Sequence, residues 1–230
     1  MHELERDGFA VSGIQLSPQQ CEYFVASLPA LAAAGRAGVR DLLAHPTVLT
    51  FLHHQMLGEY LWSLIGRELV AVKATLFDKT VESNWRVQWH QDRSIAVRQR
   101  HDMPGYGGWS TKGGALHADA PSQVLSQMLA VRIHLDACGP DNGPLRVVPA
   151  SHTLGKLNQD QVADIVAKNT AVPLCMPRGG MLIMRPLLVH SSAIASSPDH
   201  RRVLHIEFAP ADAISPMHWH SSVPLRRRAA

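Results

Sequence analysis

The chain has 230 residues, of which 46% are apolar and 18% charged, a composition typical of a folded globular protein with a substantial core. The net charge of +3 comes largely from the final arginines 226–228, so the body is almost neutral and nucleic acid is not expected as a partner. A charged N-terminus without an apolar run, no stretch long enough for a membrane span, and three scattered cysteines (Cys21, Cys138 and Cys175) predict a cytoplasmic protein with reduced thiols.

The first elements are a short strand and a helix. Gly8–Ile14 is predicted to be the opening strand. Ser17 is the expected N-cap of a helix, followed by Pro18 at its first position and by Gln20 completing a capping box. This helix should run to about Leu28.

More helix is predicted up to residue 68. Pro29 and Gly35 interrupt the pattern, and helix resumes over Val39–Ala44 and Thr47–Ile65, the latter with apolar residues at helical spacing. We expect residues 1–68 to form a helical layer against one face of a sheet.

From residue 69 to 210 the pattern changes to short strands with turn residues between them. Asn142 and Gly143 predict a hairpin turn, and Gln159–Lys168 a short amphipathic helix. Helices followed by about eight strands favour a single domain, mostly β and antiparallel, in the form of a sandwich or jelly roll. The predicted strands are Val70–Phe77, Trp85–Asp92 with a possible extension over Ile95–Val97, Leu125–Leu135, Leu145–Val148, Val172–Met176, Gly180–Met184, Leu187–His190 and Val203–Phe208.

Two segments fall outside this pattern. Residues 98–122 are rich in glycine and predict a long irregular insertion, of the kind that usually serves function. Residues 211–230 predict a tail, in which His218, Trp219 and His220 are expected to be flexible.

The motif on which the functional prediction rests is His90-Gln91-Asp92. On a strand, alternate side chains share a face, so His90 and Asp92 would project together, with Trp85 and Trp89 on the opposite face. Two histidines and one carboxylate on one side of a metal are typical of non-haem Fe(II) oxygenases. His190, at the end of another apolar run, is the candidate for the second histidine.

The same His-x-Asp spacing occurs twice more. His117 and Asp119 lie in the glycine-rich insertion, where we expect a loop or a substrate contact instead of a rigid metal site. His134 and Asp136 precede the predicted hairpin, which favours a turn role for Asp136 and a place in the sheet, at the edge of the pocket, for His134.

These motifs and their order resemble the phytanoyl-CoA dioxygenase family of Fe(II)- and 2-oxoglutarate-dependent oxygenases, over about residues 8–210. The resemblance rests on several separated segments and on the interval from His90 to His190 and Arg201. The segments are Gly8-Phe-Ala-Val, Leu16-Ser-Pro, Trp89-His-Gln-Asp, Asn142-Gly-Pro-Leu, Val148-Pro-Ala-Ser-His with Ala150 where the family usually has glycine, and Gly179-Gly180.

The resemblance implies a double-stranded β-helix fold and an enzyme that uses Fe(II), 2-oxoglutarate and O2, converting 2-oxoglutarate to succinate and CO2. It implies His90, Asp92 and His190 as iron ligands. Because Asp92 occupies the position that a small residue takes in related halogenases, the expected outcome is hydroxylation or another product of hydrogen abstraction.

The resemblance also implies where the cosubstrate binds. Arg201 would hold the far carboxylate of 2-oxoglutarate, in preference to Arg202, and Ser192 would donate a hydrogen bond to it. Lys73, Thr75 and Phe77 are on the strand whose inward residues line the cosubstrate, without a choice among them.

The substrate is expected to be a small molecule, and cations with aromatic residues near the insertion suit an anionic one. The candidate contacts are Arg98, Trp109, Lys112, His117 and His134. Two alternatives stay open at this point: a non-catalytic jelly-roll protein that binds a metal or ligand, and a cupin-like metalloenzyme that needs no 2-oxoglutarate. Oligomeric state is not predicted.

Overall fold

The computed structural model of the protein describes residues 3–29 and 38–226; Gly35, Arg227 and Arg228 lie outside these ranges. Its helices are α1 (Glu3–Asp7), α2 (Pro18–Ser27), α3 (Pro46–Leu52), α4 (Gln55–Ile65), α5 (Ser122–Leu125) and α6 (Gln159–Lys168). Its strands are β1 (Phe9–Val11), β2 (Gly38–Val39), β3 (Val70–Lys79), β4 (Val87–His90), β5 (Ser94–Val97), β6 (Gly107–Lys112), β7 (Ala115–Asp119), β8 (Leu129–His134), β9 (Leu145–Val147), β10 (Val172–Leu174), β11 (Met181–Met184), β12 (His190–Ser192), β13 (Arg201–Ala209) and β14 (Val223–Pro224).

Two antiparallel sheets form the body of the fold. The larger has the order β1-β11-β8-β13-β3-β14, with β2 also paired to β3, and the smaller has the order β10-β9-β12-β4. Along the chain, strands β3, β8, β11 and β13 of the larger sheet are interleaved with β4, β9, β10 and β12 of the smaller one, as expected for the double-stranded β-helix. A third, three-stranded sheet has the order β5-β7-β6.

Helices α1–α4 cover the outer face of the larger sheet. Every second residue of β13, such as Leu204, Ile206 and Phe208, is fully buried in one apolar cluster with side chains from these helices. The intervening residues of β13 therefore face the other way, toward the smaller sheet. The predicted helical layer is thus confirmed, and it leaves the inner face of the larger sheet free for polar side chains.

Helix α2 begins as the sequence predicts. The Ser17 side chain accepts from the Gln20 backbone N–H, and the Gln20 side chain accepts from that of Ser17, which completes the capping box. Helix α6 also matches its predicted bounds, with a capping box from Asn158 and Gln161.

The helix predicted over Val39–Ala44 is wrong. Gly38 and Val39 instead pair with the edge of β3, Asp41 has a left-handed backbone with φ 62°, and only Leu42–Ala44 forms a 3₁₀ turn. The helix predicted over Thr47–Ile65 is broken in two at His53 and His54. Pairing with a sheet edge here outweighs local helix propensity.

The predicted hairpin at Asn142-Gly143 is also wrong, because β8 pairs with β11 and β13, whereas β9 pairs with β10 and β12 in the other sheet. The turn therefore carries the chain from one sheet to the other. The strand predicted to begin at Leu125 begins only at Leu129, because Leu125 is the last residue of the short helix α5.

The segments predicted to be irregular are largely ordered. Residues 107–119 form the hairpin of β6 and β7. Beyond residue 210, Ile214, Met217 and Trp219 are buried, Trp219 forms a bridge with Val97, and β14 pairs with β3. The expectation of a flexible His218-Trp219-His220 segment is therefore wrong.

None of the described helices is both long and apolar enough to cross a membrane. The cytoplasmic location stays a prediction.

Candidate metal and cosubstrate site

Three potential metal ligands meet where the smaller sheet lines the space between the sheets. His90 ends β4 and His190 begins β12, and the two residues are directly paired in the register of these strands. Their ring centroids are 4.2 Å apart. Oδ1 of Asp92 lies 3.5 Å from His90 Nε2, and its Oδ2 lies 3.6 Å from His190 Nε2.

Hydrogen bonds orient both imidazole rings. Nδ1 of His90 is 2.8 Å from the carbonyl oxygen of Gln88, and Nδ1 of His190 is 2.8 Å from that of Leu188. A carbonyl oxygen only accepts, so each Nδ1 carries the proton and each Nε2 presents its lone pair to the other ligands. Such an arrangement, with one ring nitrogen bonded to the main chain, is usual for metal-binding histidines.

Asp92 is held in place although β4 ends two residues earlier. Its backbone N–H donates to the carbonyl oxygen of Pro186 at 2.9 Å. The buried side chain of Gln91 donates to the carbonyl oxygens of Leu187 and Gly155 and accepts from the N–H of Leu157. The middle residue of the motif thus anchors the segment that carries the carboxylate, a role that the sequence analysis did not assign.

The protonation states suit a divalent metal. Burial would raise the pKa of Asp92, but the surrounding imidazoles, that of His190 first, hold it well below its usual range. Burial lowers the pKa of His190 to about 4, so its ring is neutral at pH 7. Burial would lower the pKa of His90, but the contact with Asp92 raises it above its usual value, and a bound metal would displace that proton. One carboxylate and two imidazoles fit the ligand set of a 2-His-1-carboxylate iron site. No other trio of potential ligands comes as close together among the described residues.

These ligands open into a cavity of about 220 Å³ between the two main sheets. The larger sheet supplies most of its polar lining and the smaller sheet supplies the metal-binding trio. The lining residues are Lys73, Thr75, Phe77, Trp85, Val87, His90, Asp92, Arg132, Leu145, His190, Ser192, Arg201, His205 and Glu207.

Trp85 was expected on the face opposite the metal motif, and that prediction is wrong. A bulge sets four residues of β4, Val87 to His90, against only three of β12, His190 to Ser192. The extra residue turns Val87, and Trp85 two positions earlier, to the cavity side. Trp89 lies outside the cavity, where it packs against an apolar cluster and stacks with Arg146.

Two buried cations lie at one end of the cavity: Arg201 lines it, and Lys79 lies beside it, against Ser192. A guanidinium N–H of Arg201 donates to the carbonyl oxygen of Gly143 and to Ser192 Oγ. Lys79 Nζ donates to the same hydroxyl at 3.1 Å and to the carbonyl oxygen of Ala193. Neither cation has an ion-pair partner among the described residues, and Nε of Arg201 is buried without a hydrogen bond.

This end fits a carboxylate. Burial, reinforced by Arg201, lowers the pKa of Lys79 to about 8, as expected for two cations without a counter-ion. An anionic carboxylate would supply the missing charge and the missing hydrogen-bond acceptor. Ser192 Oγ donates to the carbonyl oxygen of Gly143 at 3.0 Å, so its hydroxyl would have to rotate to donate to a ligand.

The opposite part of the cavity contains Lys73, one of the predicted candidates on β3, together with three polar residues that were not predicted: Arg132, His205 and Glu207. Lys73 Nζ and Glu207 Oε1 form an ion pair at 2.7 Å, and Arg132 donates to Nδ1 of His205 at 3.2 Å. Alternation along β13 was the available signal, because residues 203, 205 and 207 share the face of Arg201. A charged Arg132 within an apolar strand was a second signal.

The family model of phytanoyl-CoA dioxygenase matches residues 4–203. The chain belongs to the phytanoyl-CoA dioxygenase family. It is therefore an Fe(II)- and 2-oxoglutarate-dependent oxygenase, with Fe(II), 2-oxoglutarate and O2 as its cofactor and cosubstrates. No curated protein sequence matches the chain significantly.

Solved structures share the family fold at low sequence identity. AviO1 from Streptomyces viridochromogenes Tue57 is 24% identical, with a TM-score of 0.64 over 90% of this chain and 92% of that one. The non-heme alpha ketoglutarate dependent carbocyclase SnoK from nogalamycin biosynthesis is 14% identical, with a TM-score of 0.70 over 97% and 94%. EctD from S. alaskensis, with 2-oxoglutarate and 5-hydroxyectoine, is 16% identical, with a TM-score of 0.69 over 92% and 75%.

In this family fold, none of the five predicted substrate contacts lines the cavity that holds the trio. Arg98 and Lys112 are exposed, and Trp109 packs against a separate apolar cluster with Arg100 over its ring. Composition near the motif had suggested them, but their side chains belong to the three-stranded sheet and its surroundings.

The two histidines of that set are buried elsewhere. His117 is on β7, not in a loop, and lines a small neighbouring cavity of about 60 Å³ that shares Lys73 with the main one. His134 is on β8, and neither ring nitrogen has a hydrogen-bond partner among the described residues. Asp136, expected to start a turn, instead forms a two-point ion pair with Arg202.

A larger cavity of about 470 Å³ lies on the helical layer, beside α2, α3 and α4. The described residues that line it are mostly apolar and include no carboxylate and no metal-binding trio. The chemistry of this family therefore belongs to the smaller, polar cavity.

Proposed function

We propose that this protein hydroxylates a small molecule, with His90, Asp92 and His190 as the iron ligands and Arg201 as the residue that binds the far carboxylate of 2-oxoglutarate. The observation that carries the proposal is one cavity that holds an oriented trio of ligands and the buried guanidinium of Arg201, which has no ion-pair partner among the described residues. When bound, iron with 2-oxoglutarate and O2 supplies the oxidant, and 2-oxoglutarate becomes succinate and CO2.

The chain's own residues orient these reactants. Hydrogen bonds from both Nδ1 atoms hold the two imidazole rings, and Gln91 holds the segment that carries Asp92. Arg201 and Lys79 would together neutralise the far carboxylate, and Ser192 lies between them. Of the three candidates on β3, Thr75 and Phe77 line the cavity without a charge of their own, whereas Lys73 is already paired with Glu207.

The carboxylate of Asp92 supports hydroxylation over halogenation, because it takes a ligand position that a halide would otherwise need. The side chain of His190 is only 5% exposed, whereas those of His90 and Asp92 are 37% and 32% exposed, so the site is open on the side of His90 and Asp92. A substrate bound on that side would keep the oxidant from bulk water.

The direct test supplies purified protein with Fe(II), 2-oxoglutarate and O2 and measures succinate. We expect succinate above background from the wild type, and background values from Asp92→Ala and Arg201→Ala. Equal succinate from the wild type and both variants would contradict the proposal, as would a wild type that neither binds 2-oxoglutarate nor converts it.

A further inference from the structure

Arg132 has a buried positive charge without a counter-ion. It lies on β8 between apolar residues, faces the cavity, and is 8% exposed. Its Nη1 donates to Nδ1 of His205, and its Nε is buried without a partner among the described residues. Burial and the charge of Arg201 lower the pKa of Arg132 to about 10, so the guanidinium stays protonated at neutral pH.

No carboxylate among the described residues forms an ion pair with Arg132, although the charge of Asp92 partly offsets the effect of burial and of Arg201 on its pKa. Glu207 lies 2.7 Å from Lys73, and Asp92 lies between two imidazoles. His205 accepts from Arg132 through Nδ1, and its Nε2 lies 3.6 Å from Glu207, so this ring connects the two groups without adding negative charge. An unpaired guanidinium in such surroundings needs an anion that the chain itself does not provide.

Arg132 and Arg201 enter the cavity from different positions on the larger sheet. Arg132 pairs with His205 in the sheet register, and His205 lies four residues along β13 from Arg201. Four residues of a strand span roughly 13 Å. One small diacid held at Arg201 therefore leaves the region around Arg132, His205 and Lys73 for a second molecule.

We propose that Arg132 binds a carboxylate of the primary substrate, so that the molecule oxidised is a small organic acid. The inference rests on the proposed function, because it gives Arg201 to 2-oxoglutarate. The preference for an anionic substrate is thus assigned to Arg132 on the larger sheet and not to the residues of the three-stranded sheet. The cavity of about 220 Å³ must hold both acids, which limits the substrate to a small one.

The test uses Zn(II)-loaded protein, which does not turn over, with saturating 2-oxoglutarate. A panel of small carboxylic acids, each matched with its primary amide, is screened for binding by saturation-transfer NMR. We expect the wild type to bind the best acids about tenfold more tightly than their amides, because a charged pair is replaced by a neutral one. A wild type that binds acids and amides equally, or binds neither, overturns the inference.

Variants assign the effect to Arg132. Arg132→Gln should remove the preference for acids, Arg132→Lys should keep part of it, and Arg98→Gln, at an exposed arginine, should leave it unchanged. Affinity for 2-oxoglutarate, measured by calorimetry on the same Zn(II)-loaded proteins, should change less than about threefold in Arg132→Gln.

Two results separate the inference from the proposed function. If Arg132→Gln weakens 2-oxoglutarate binding and leaves the preference for acids intact, Arg132 belongs to the cosubstrate and the inference is wrong. If the wild type binds no 2-oxoglutarate, the proposed function itself fails, whereas normal 2-oxoglutarate binding without a preference for acids refutes the substrate class alone.

Discussion

Two regions of the molecule each carry a His-x-Asp pair, but with different neighbours. One region is the cavity between the two main sheets, and the other is the three-stranded sheet. In the cavity, Asp92 faces His190 on a paired strand, and the imidazoles of His90 and His190 are its only ion-pair contacts among the described residues. In the three-stranded sheet, Asp119 forms an ion pair with Arg93 at 3.3 Å, and His117 lies 3.4 Å from Ser94 Oγ.

The difference shows what makes a motif into a site. Charges on the three-stranded sheet are already compensated, so a ligand would have to displace an existing partner. In the cavity, Lys73 and Glu207 are paired, but Arg201 and Arg132 lack ion-pair partners among the described residues and Asp92 contacts only imidazoles, which leaves these groups available for an anion and a metal. Spacing along the chain is the same in both regions, and only the strand packed opposite distinguishes them.

The sharpest test removes one carboxylate from each region. Asp92→Ala should weaken Mn(II) binding by at least about 100-fold, because it removes a metal ligand. Loss of a residue that only hydrogen-bonds to a ligand already lowers metal affinity by roughly 10–100-fold. Asp119→Ala makes the same change in charge but breaks only a partly exposed ion pair, so Mn(II) affinity should stay within about threefold. Isothermal titration calorimetry measures both, and equal losses would remove the distinction between the regions.

A second pair of variants compares an unpaired arginine with its paired neighbour. Arg201→Gln should raise the Kd of 2-oxoglutarate by roughly 10–100-fold, because a charge-assisted hydrogen bond to the carboxylate is lost. Arg202 is paired with Asp136 on the other face of the strand, so Arg202→Gln should change that Kd less than about twofold. Calorimetry on Zn(II)-loaded protein gives both values, and a larger effect from Arg202 would reverse the assignment.

His134, from the third His-x-Asp pair, should make the apo-protein sensitive to acid. Burial lowers its pKa to about 3, below the value of about 6.5 in an unfolded chain. Between these values the unfolded chain binds a proton that the folded chain does not, so the free energy of unfolding falls by about 1.4 kcal/mol per unit as the pH drops below 6.5.

Urea unfolding of chelator-treated protein at pH 7 and pH 5 measures this effect. His134→Leu should lose less stability than the wild type over that interval, and His54→Leu, at an exposed histidine, should behave like the wild type. A His134→Leu variant with undiminished acid sensitivity would show that His134 does not titrate as proposed.

The smallest expected effect concerns a residue that supports the site without belonging to it. Ala150 has φ 64° where the family usually has glycine, a conformation that costs a residue with a side chain about 1 kcal/mol. Ala150→Gly should therefore raise the free energy of unfolding by about that amount without changing metal or cosubstrate affinity. Ala163→Gly, in the exposed middle of α6, should lower it by a similar amount. Thermal melts of the two variants should shift in opposite directions.

The sequence predicted the elements whose signals are local. Capping residues predicted α2, the amphipathic pattern predicted α6, and alternation predicted β3 and most of β13. The predicted hairpin failed because Asn-Gly specifies a tight turn but not which strand the chain joins next. The helix predicted to begin at Val39 is wrong because pairing with the edge of β3, more than thirty residues away in sequence, determines the conformation of Val39.

The site residues show the same contrast between local signals, which the sequence contains, and contacts that depend on the packed structure. Spacing and resemblance led to His90, Asp92, His190, Arg201 and Ser192, all of which the structure brings to one cavity. Lys79 and Arg132 were missed because their importance lies in lacking a partner, which only the packed structure reveals. Trp85 was placed on the wrong face because a single bulge, invisible in the alternation pattern, reverses the side on which residues project.

The outer edge of β3 is shielded by two short strands from remote parts of the chain, β2 at Leu76 and Phe77 and β14 at Val70 and Ala71. A bare edge strand is a template for pairing with another molecule. Shortening the protein from its carboxyl end to aid crystallisation would uncover half of that edge, so self-association at high concentration is the penalty to expect from such a truncation.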